Sequence, residues 1–175
     1  MRRKLFHRAA GVVALATLVF GAGCGSSNPK GTSASDIKQL PENELTGTYL
    51  GLDARREDVG GSLANQQANA YIDAVGLYSL RNKERLEATL QISKLSKHAR
   101  PKDQKFQQLV ANQIGGTKAQ AFVMGGKHVY RSSQRKQSLT SWFQGDYFMI
   151  LSVRDTYKSP RTLLRVLLEE VKPSS

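Results

Sequence analysis

Apolar and polar residues alternate with period two over residues 86–93, and this is the clearest local pattern in the chain. Side chains of a strand point to its two faces in turn, so the pattern predicts a half-buried strand. Residues 74–80 are typical of a second strand, and the polar residues 81–85 between the two favour a turn. We therefore expect a β-hairpin over this region.

Two further hairpins are predicted in the second half of the chain. One pairs residues 121–124 with 128–130 around a turn that begins at Gly125-Gly126. The other pairs residues 138–143 with 147–153 around Gln144-Gly145-Asp146. Glycine supplies the positive φ that tight hairpin turns need.

Apolar residues recur at helical spacing in two other segments. Pro101 is expected in the first turn of a helix that ends at Gly115-Gly116. Ser159 is expected to cap a second helix, with Pro160 at its first position. The apolar positions are Phe106, Leu109, Val110 and Ile114 in the first helix, and Leu163, Leu164, Val166, Leu167 and Val171 in the second.

Residues 62–71 fit either a short helix capped by Ser62 or the start of a strand near Ala70. Hairpins that alternate with single helices indicate an α+β domain. We expect an antiparallel sheet of about five or six strands with two main helices on one face, the other face being open to solvent or a ligand.

The N-terminus has the pattern of an export signal. Four basic residues precede an apolar run over residues 9–20, and the small residues 21–23 precede Cys24, the one cysteine of the chain. A membrane-spanning helix needs roughly 20 apolar residues, so a run of about twelve favours a signal peptide.

Residues 21–24 resemble the lipobox of bacterial lipoprotein precursors, with Gly21 where that family prefers leucine. The resemblance implies cleavage before Cys24 and a diacylglyceryl group on its sulfur. It divides the chain into a signal peptide (1–23), the lipidated cysteine with a flexible tether (24–44) and one α+β domain (45–175). The alternative is an ordinary secretory signal that is cut near Ala22. In architecture alone, the domain is similar to small actinobacterial lipoproteins of unknown function.

These segments predict where the protein works. Arg2-Arg3 fits export by either the Sec or the Tat pathway, and two acyl chains are enough for stable anchoring. The expected location is extracytoplasmic, at the cell membrane. Residues 25–44 are rich in Gly and Ser, so we expect their removal to leave the fold intact.

Positive charge is concentrated in the middle of the chain. The whole chain has 26 basic and 14 acidic residues, and loss of the four basic residues in 1–23 leaves a net charge of +8. Between residues 94 and 136 Asp103 is the single acid, and a solvated face or an anionic binding surface would both explain this. The predicted anion-binding residues are Lys94, Lys97, Arg100, Lys102, Lys105, Lys118, Lys127, Arg131, Arg135 and Lys136.

Candidate catalytic chemistry is sparse. His98 and His128 are not at metal-ligand spacing, and zinc needs three or four protein ligands, so we expect neither metal nor cofactor. Gly126-Lys127 lacks the rest of a phosphate-binding loop, and no Gly-x-Ser-x-Gly motif is present. Late aromatic residues are expected mainly in the core, with some free to line an apolar groove: Tyr130, Trp142, Phe143, Tyr147 and Phe148.

The sequence therefore favours a non-enzymatic, membrane-anchored envelope lipoprotein that binds a protein partner or an anionic envelope component such as anionic lipid. Nucleic acid is not expected as a partner of an exported protein. The main alternative is a carrier of a lipid or other apolar ligand between sheet and helices, and an enzyme of unfamiliar type is a third reading.

Overall fold

The domain consists of one large β-sheet and two helices. The computed structural model describes residues 38–40, 45–58, 71–115, 118–134 and 137–172. In chain order the elements are β1 (Lys38–Gln39), β2 (Thr48–Tyr49), β3 (Leu52–Glu57), β4 (Ile72–Asn82), β5 (Arg85–Leu95), α1 (Gln104–Gly115), β6 (Gln120–Met124), β7 (Lys127–Gln134), β8 (Gln137–Gln144), β9 (Tyr147–Arg154) and α2 (Pro160–Glu170).

Strands lie across the sheet in the order β2, β3, β4, β5, β9, β8, β7, β6, and each of these neighbours is antiparallel to the next. Strand β1 pairs in parallel with β4. The predicted α+β class with an antiparallel sheet is confirmed, but the described residues form nine strands rather than five or six. Strands β1 and β2 are two residues long, too short to show a periodic pattern.

The three predicted hairpins are all present. Strands β4 and β5 are longer than expected and meet at a tight turn in which Lys83 has a φ of 55°. Gly125 and Gly126 have φ values of 57° and 74°. Positive φ at both central residues is the geometry of a type I′ turn, which matches the right-handed twist of the flanking strands.

Two apolar clusters lie on opposite faces of the sheet. We call the face that carries Trp142 and Met149 face A, and the face that carries Phe143 and Phe148 face B. Because successive side chains of a strand alternate between faces, Trp142 and Phe143 cannot lie on the same side.

Each face is covered by one helix, which corrects the expectation that both helices share a face. The buried leucines of α2, which include Leu163 and Leu167, pack into the face A cluster. Val110 and Ala111 of α1 pack into the face B cluster. Strands β8 and β9 are therefore apolar on both sides, as the nearly continuous apolar run of β9 indicates in retrospect.

Helix α2 matches the prediction closely. Pro160 occupies its first turn, Val166 is partly buried against the face A cluster, and Val171 is buried directly after its end. Ser159 is at the N-cap position, but its side chain makes no capping hydrogen bond. The carbonyl of Ser159 instead accepts the backbone N–H of Leu163 at 3.0 Å.

Residues 38–40 belong to the packed domain, which therefore begins before the expected boundary at residue 45. Leu40 is 3% exposed and lies in the face A cluster. Its N–H donates to the carbonyl of Val75 at 3.0 Å, and its own carbonyl accepts from Arg56 Nη2 at 2.7 Å. Arg56 Nη1 donates to the hydroxyl of Tyr78 at 2.8 Å, so one guanidinium joins β1, β3 and β4.

Several predicted features lie outside the described residues. These are the signal peptide (1–23), Cys24, most of the tether (25–37 and 41–44), the ambiguous segment up to residue 70, Gly116, Arg135, Lys136 and the last three residues.

Candidate functional site

Helix α1 begins three residues after Pro101, later than its sequence suggested. Asp103 lies at the N-cap, where its Oδ1 accepts the backbone N–H of Lys105 at 2.8 Å. The carbonyl of Asp103 accepts the N–H of Gln107 at 2.9 Å. The one acid of the basic stretch is thus engaged in starting the helix.

Polar side chains connect α1 to the strand beneath it. Gln107 Oε1 accepts the hydroxyl of Tyr130 at 2.8 Å in a buried site, and burial raises the pKa of Tyr130. Gln104 Nε2 lies 3.0 Å from His128 Nε2, near the start of β7. The helix therefore lies over β7 and β8, with its N-terminus towards the β6–β7 turn.

The other end of α1 contacts the residue that precedes β6. Asn112 Oδ1 accepts the N–H of Ala119 at 2.8 Å, and Gln108 Nε2 donates to the carbonyl of Ala119 at 3.1 Å. Because Gln104 is near the turn and Asn112 near Ala119, α1 runs antiparallel to β6. Leu109, expected on the buried face of the helix, is 51% exposed.

Among the strands that the structure describes, β6 forms one edge of the sheet and pairs on one side with β7. Phe122 and Met124 point towards the face A cluster, whereas Ala121 and Val123 point to face B and are exposed. The exposed fraction of Val123 is 64%. An uncharged edge strand with exposed apolar side chains is unusual, because edges are normally protected by charge, proline or a bulge.

The structure divides the predicted basic surface between both sides of the sheet. Lys105 is exposed on α1, whereas Lys94, Lys127 and Arg131 lie on strands at positions that point to face A. The exposed members are Lys97, Arg100, Lys102, Lys105, Lys118 and Arg131. Within the described residues, the ion pairs join Arg55, Arg81 and Arg85 to glutamates 84, 57 and 87, so they involve none of the basic stretch.

Lys127 has a structural role. Its Nζ donates to the carbonyl of Leu168 in the last turn of α2 and to Gln144 Oε1 at 2.6 Å. A cation at a helix C-terminus also interacts favourably with the helix dipole. Burial, and then the charge of Lys172, lower the pKa of Lys127.

Two further basic side chains lie over aromatic rings. Lys94 Nζ is 5.9 Å from the ring centre of Tyr147, and the guanidinium carbon of Arg131 is 5.5 Å from that of Phe122. Such cation–π contacts hold the charge at the surface and reduce its freedom. Arg131 therefore keeps its exposed charge fixed beside β6.

The late aromatic residues are buried under the helices, as expected of core residues, so these five do not line an open groove. Trp142 and Tyr147 belong to the face A cluster, and Tyr130, Phe143 and Phe148 to the face B cluster. Trp142 Nε1 is buried with no hydrogen-bond partner among the described residues.

His98 and His128 are both exposed. Across the described ranges no three His, Cys, Asp or Glu residues are grouped so that they could bind a metal ion. No helix in the described part of the chain is long and apolar enough to span a membrane.

The residues that the sequence did not single out are Ala121, Val123, Gln104 and Asn112, which together form the border between β6 and α1. The Gly125-Gly126 turn indicated a hairpin, but no local signal placed β6 at the edge of the sheet. Comparison with known proteins adds no relative: no family model matches the chain, and neither a curated protein nor a solved structure is significantly similar to it.

Proposed function

We propose that this protein is a non-enzymatic envelope lipoprotein, anchored outside the cytoplasm through Cys24, whose domain binds an anionic partner. The anchor rests on the lipobox-like segment. The observation that supports binding is the exposed positive charge on and next to α1 and β6. Lys102, Lys105 and Lys118 are exposed, while the nearby Asp103 caps α1.

The binding test uses the full mature chain, residues 24–175, with Cys24→Ser so that no lipid is attached. Two anionic probes are offered, vesicles that contain phosphatidylglycerol and soluble poly-glutamate, with phosphatidylcholine vesicles as the neutral control. The Debye length falls from about 10 Å at 0.1 M salt to about 3 Å at 1 M, so binding to at least one anionic probe should weaken steeply with salt.

Charge reversals locate the surface. Changing Lys102, Lys105 and Lys118 to Glu should remove most of the binding. The matched control reverses Lys158, Arg161 and Arg165, which are exposed on and before α2 at face A. Equal loss in both triple variants would show that only net charge matters, and absence of binding to both anionic probes would refute the proposed function.

One observation favours the carrier as a second candidate. Trp142 Nε1 is a buried donor without an acceptor among the described residues, and leaving such a group without a hydrogen bond normally costs about 1–3 kcal/mol. An apolar ligand with one oxygen atom near Trp142 would remove that cost. Native mass spectrometry of protein purified from its own membranes tests this, since a carrier would retain a bound lipid.

A further inference from the structure

The border between β6 and α1 combines a strand edge that no other described strand pairs with and positively charged surroundings. We propose that β6 binds an acidic, extended segment of a partner protein, which adds to the sheet as a further strand beside it. This inference rests on the proposed function and names the partner chemistry and the mode of binding.

The register of the hairpin determines which backbone groups are available. In a two-residue hairpin the residues that flank the turn, here Met124 and Lys127, form a hydrogen-bonded pair, and bonded and non-bonded pairs then alternate. Ala121 opposite Tyr130 and Val123 opposite His128 are therefore non-bonded pairs. The N–H and C=O groups of Ala121 and Val123 point away from β7, towards the outer edge of the sheet.

The side chains at the same two positions suit strand addition. Ala121 and Val123 are exposed on face B, so an added strand can pack apolar side chains against them. In this recognition mode backbone hydrogen bonds supply affinity, while alternate side chains supply specificity. Gln104, Gln108 and Asn112 of α1 lie on the side of the helix that is directed to the hairpin and to Ala119.

Charge selects the kind of segment. Every charged residue in α1, β6 and β7 is basic, and Lys118, two residues before β6, is exposed. Acidic residues near the ends of the added segment would face these cations. A second copy of this chain is a poorer occupant, because pairing β6 with another β6 would bring two sets of like charges together.

Proline at position 123 is a selective test. The N–H of Val123 points outward, so proline removes a donor from the edge but none from the β6–β7 ladder, a place where strands tolerate proline. Val123→Thr is the matched control, because it keeps the N–H and the branched shape. Ala121→Pro is a second variant of the same kind, and hydrogen exchange of the Phe122 and Met124 amides verifies that the ladder is intact.

The probe is a display library of random linear peptides, selected on the full mature chain with Cys24→Ser. We expect the recovered peptides to combine Asp or Glu with alternating β-branched or aromatic residues. Val123→Pro should weaken peptide binding about tenfold or more, because this variant loses one backbone hydrogen bond and the fit at the edge. Val123→Thr keeps both and should change the affinity less than about threefold. Peptide binding should also slow exchange of the Ala121 and Val123 amides.

Each other outcome overturns the inference in a different way. In one such outcome, acidic peptides bind Val123→Pro as well as the parent and lose binding only in the Lys102, Lys105 and Lys118 reversals. This result would refute strand addition and leave the proposed binding of an anionic partner standing. Dimerisation that Val123→Pro abolishes would identify a second copy as the occupant. Recovery of no acidic peptide, with binding to phosphatidylglycerol vesicles intact, would assign the surface to the membrane.

Discussion

Gly76 lies where the side chain of Arg56 crosses strand β4. A Cβ atom at this position would be 3.0 Å from Arg56 Nη1 and 3.0 Å from Tyr78 Cε2. The guanidinium would have to move, and its hydrogen bonds to Tyr78 and to the carbonyl of Leu40 would be strained or lost. The absence of a side chain at residue 76 thus allows the N-terminal strand to be held on the sheet.

We expect Gly76→Ala to lower the free energy of unfolding by about 1–3 kcal/mol, as overpacking usually does. In an Arg56→Ala background the same change should cost less, because the displaced guanidinium is already gone. Urea unfolding of the parent, both single variants and the double variant measures the coupling. Costs that add to within about 0.5 kcal/mol would show that the two residues act independently.

Tyrosine ionisation should limit stability at alkaline pH. Burial raises the pKa of Tyr130, and also that of Tyr49 and Tyr157, where Glu170 and Glu87 respectively add to the effect. A phenol whose pKa is higher in the folded state contributes stability that is complete below the unfolded value of 10.0 and is lost as pH rises through the folded value.

The free energy of unfolding should therefore fall above about pH 10, with a limiting slope of about 1.4 kcal/mol per pH unit for Tyr130. In Tyr130→Phe the free energy of unfolding should fall less steeply with pH, by up to this slope. At neutral pH this variant should be less stable than the parent, because Gln107 Oε1 loses its hydrogen-bond donor. Urea titrations followed by circular dichroism between pH 8 and pH 11 provide the slopes. An identical slope in the variant would mean that Tyr130 does not contribute to the pH dependence.

At the scale of elements, a few side chains and one two-residue strand make contacts that hold distant elements together. Strand β1 has two residues, yet it places Leu40 in the face A cluster and gives Arg56 an acceptor. Similarly, Lys127 and Gln144 each supply a hydrogen bond to a carbonyl at the end of α2, at Leu168 and Val171 respectively. Contacts of this kind join elements that are distant in the sequence.

A mature chain that starts at Leu45 should be less stable than residues 24–175 by about 2–5 kcal/mol, the range found when a buried leucine is truncated. A chain that starts at Asp36 is the control and should match the parent, since it keeps β1 and Leu40. Fluorescence of Trp142, the one tryptophan and fully buried, reports unfolding. Equal stability of the chain from Leu45 would restore the boundary expected from composition.

At the scale of the whole molecule, the proposed anchor and the proposed binding surface lie in separate parts of one chain. Export and lipidation are proposed from residues 1–24, whereas the basic surface and the β6 edge belong to the folded domain. A lipid anchor would keep this domain close to the membrane, so a modest affinity for a membrane-associated partner would suffice through a high effective concentration.

Cys24→Ser should abolish membrane anchoring while leaving the domain folded. The parent is expected in the detergent-rich phase after phase separation, and the variant in the aqueous phase. Replacing Ser26 by Ala is the control and should change nothing. A Cys24→Ser protein that still partitions into detergent would contradict the lipoprotein proposal.

The sequence by itself determined the strands β4 to β9 and the two helices, although it did not indicate β1, β2 or β3. Alternation predicted β5, and the residues before it were typical of the strand β4 that pairs with it. Paired glycines predicted the β6–β7 turn, and helical spacing with Pro160 predicted α2. These signals act between residues a few positions apart, where backbone preferences and side-chain periodicity are decided. The α+β class follows from the order of such elements.

The tertiary structure alone decided how the elements combine. In the sheet, β9 lies next to β5, and β6 lies at the edge. With this arrangement α1 covers the face opposite α2, Leu40 is buried and Val123 is exposed. The arrangement also divides a basic stretch that is continuous in sequence between two sides of the sheet. These outcomes depend on pairing between residues far apart in the chain, such as Ile92 with Met149, and a local pattern carries no information about which distant strand will be its neighbour.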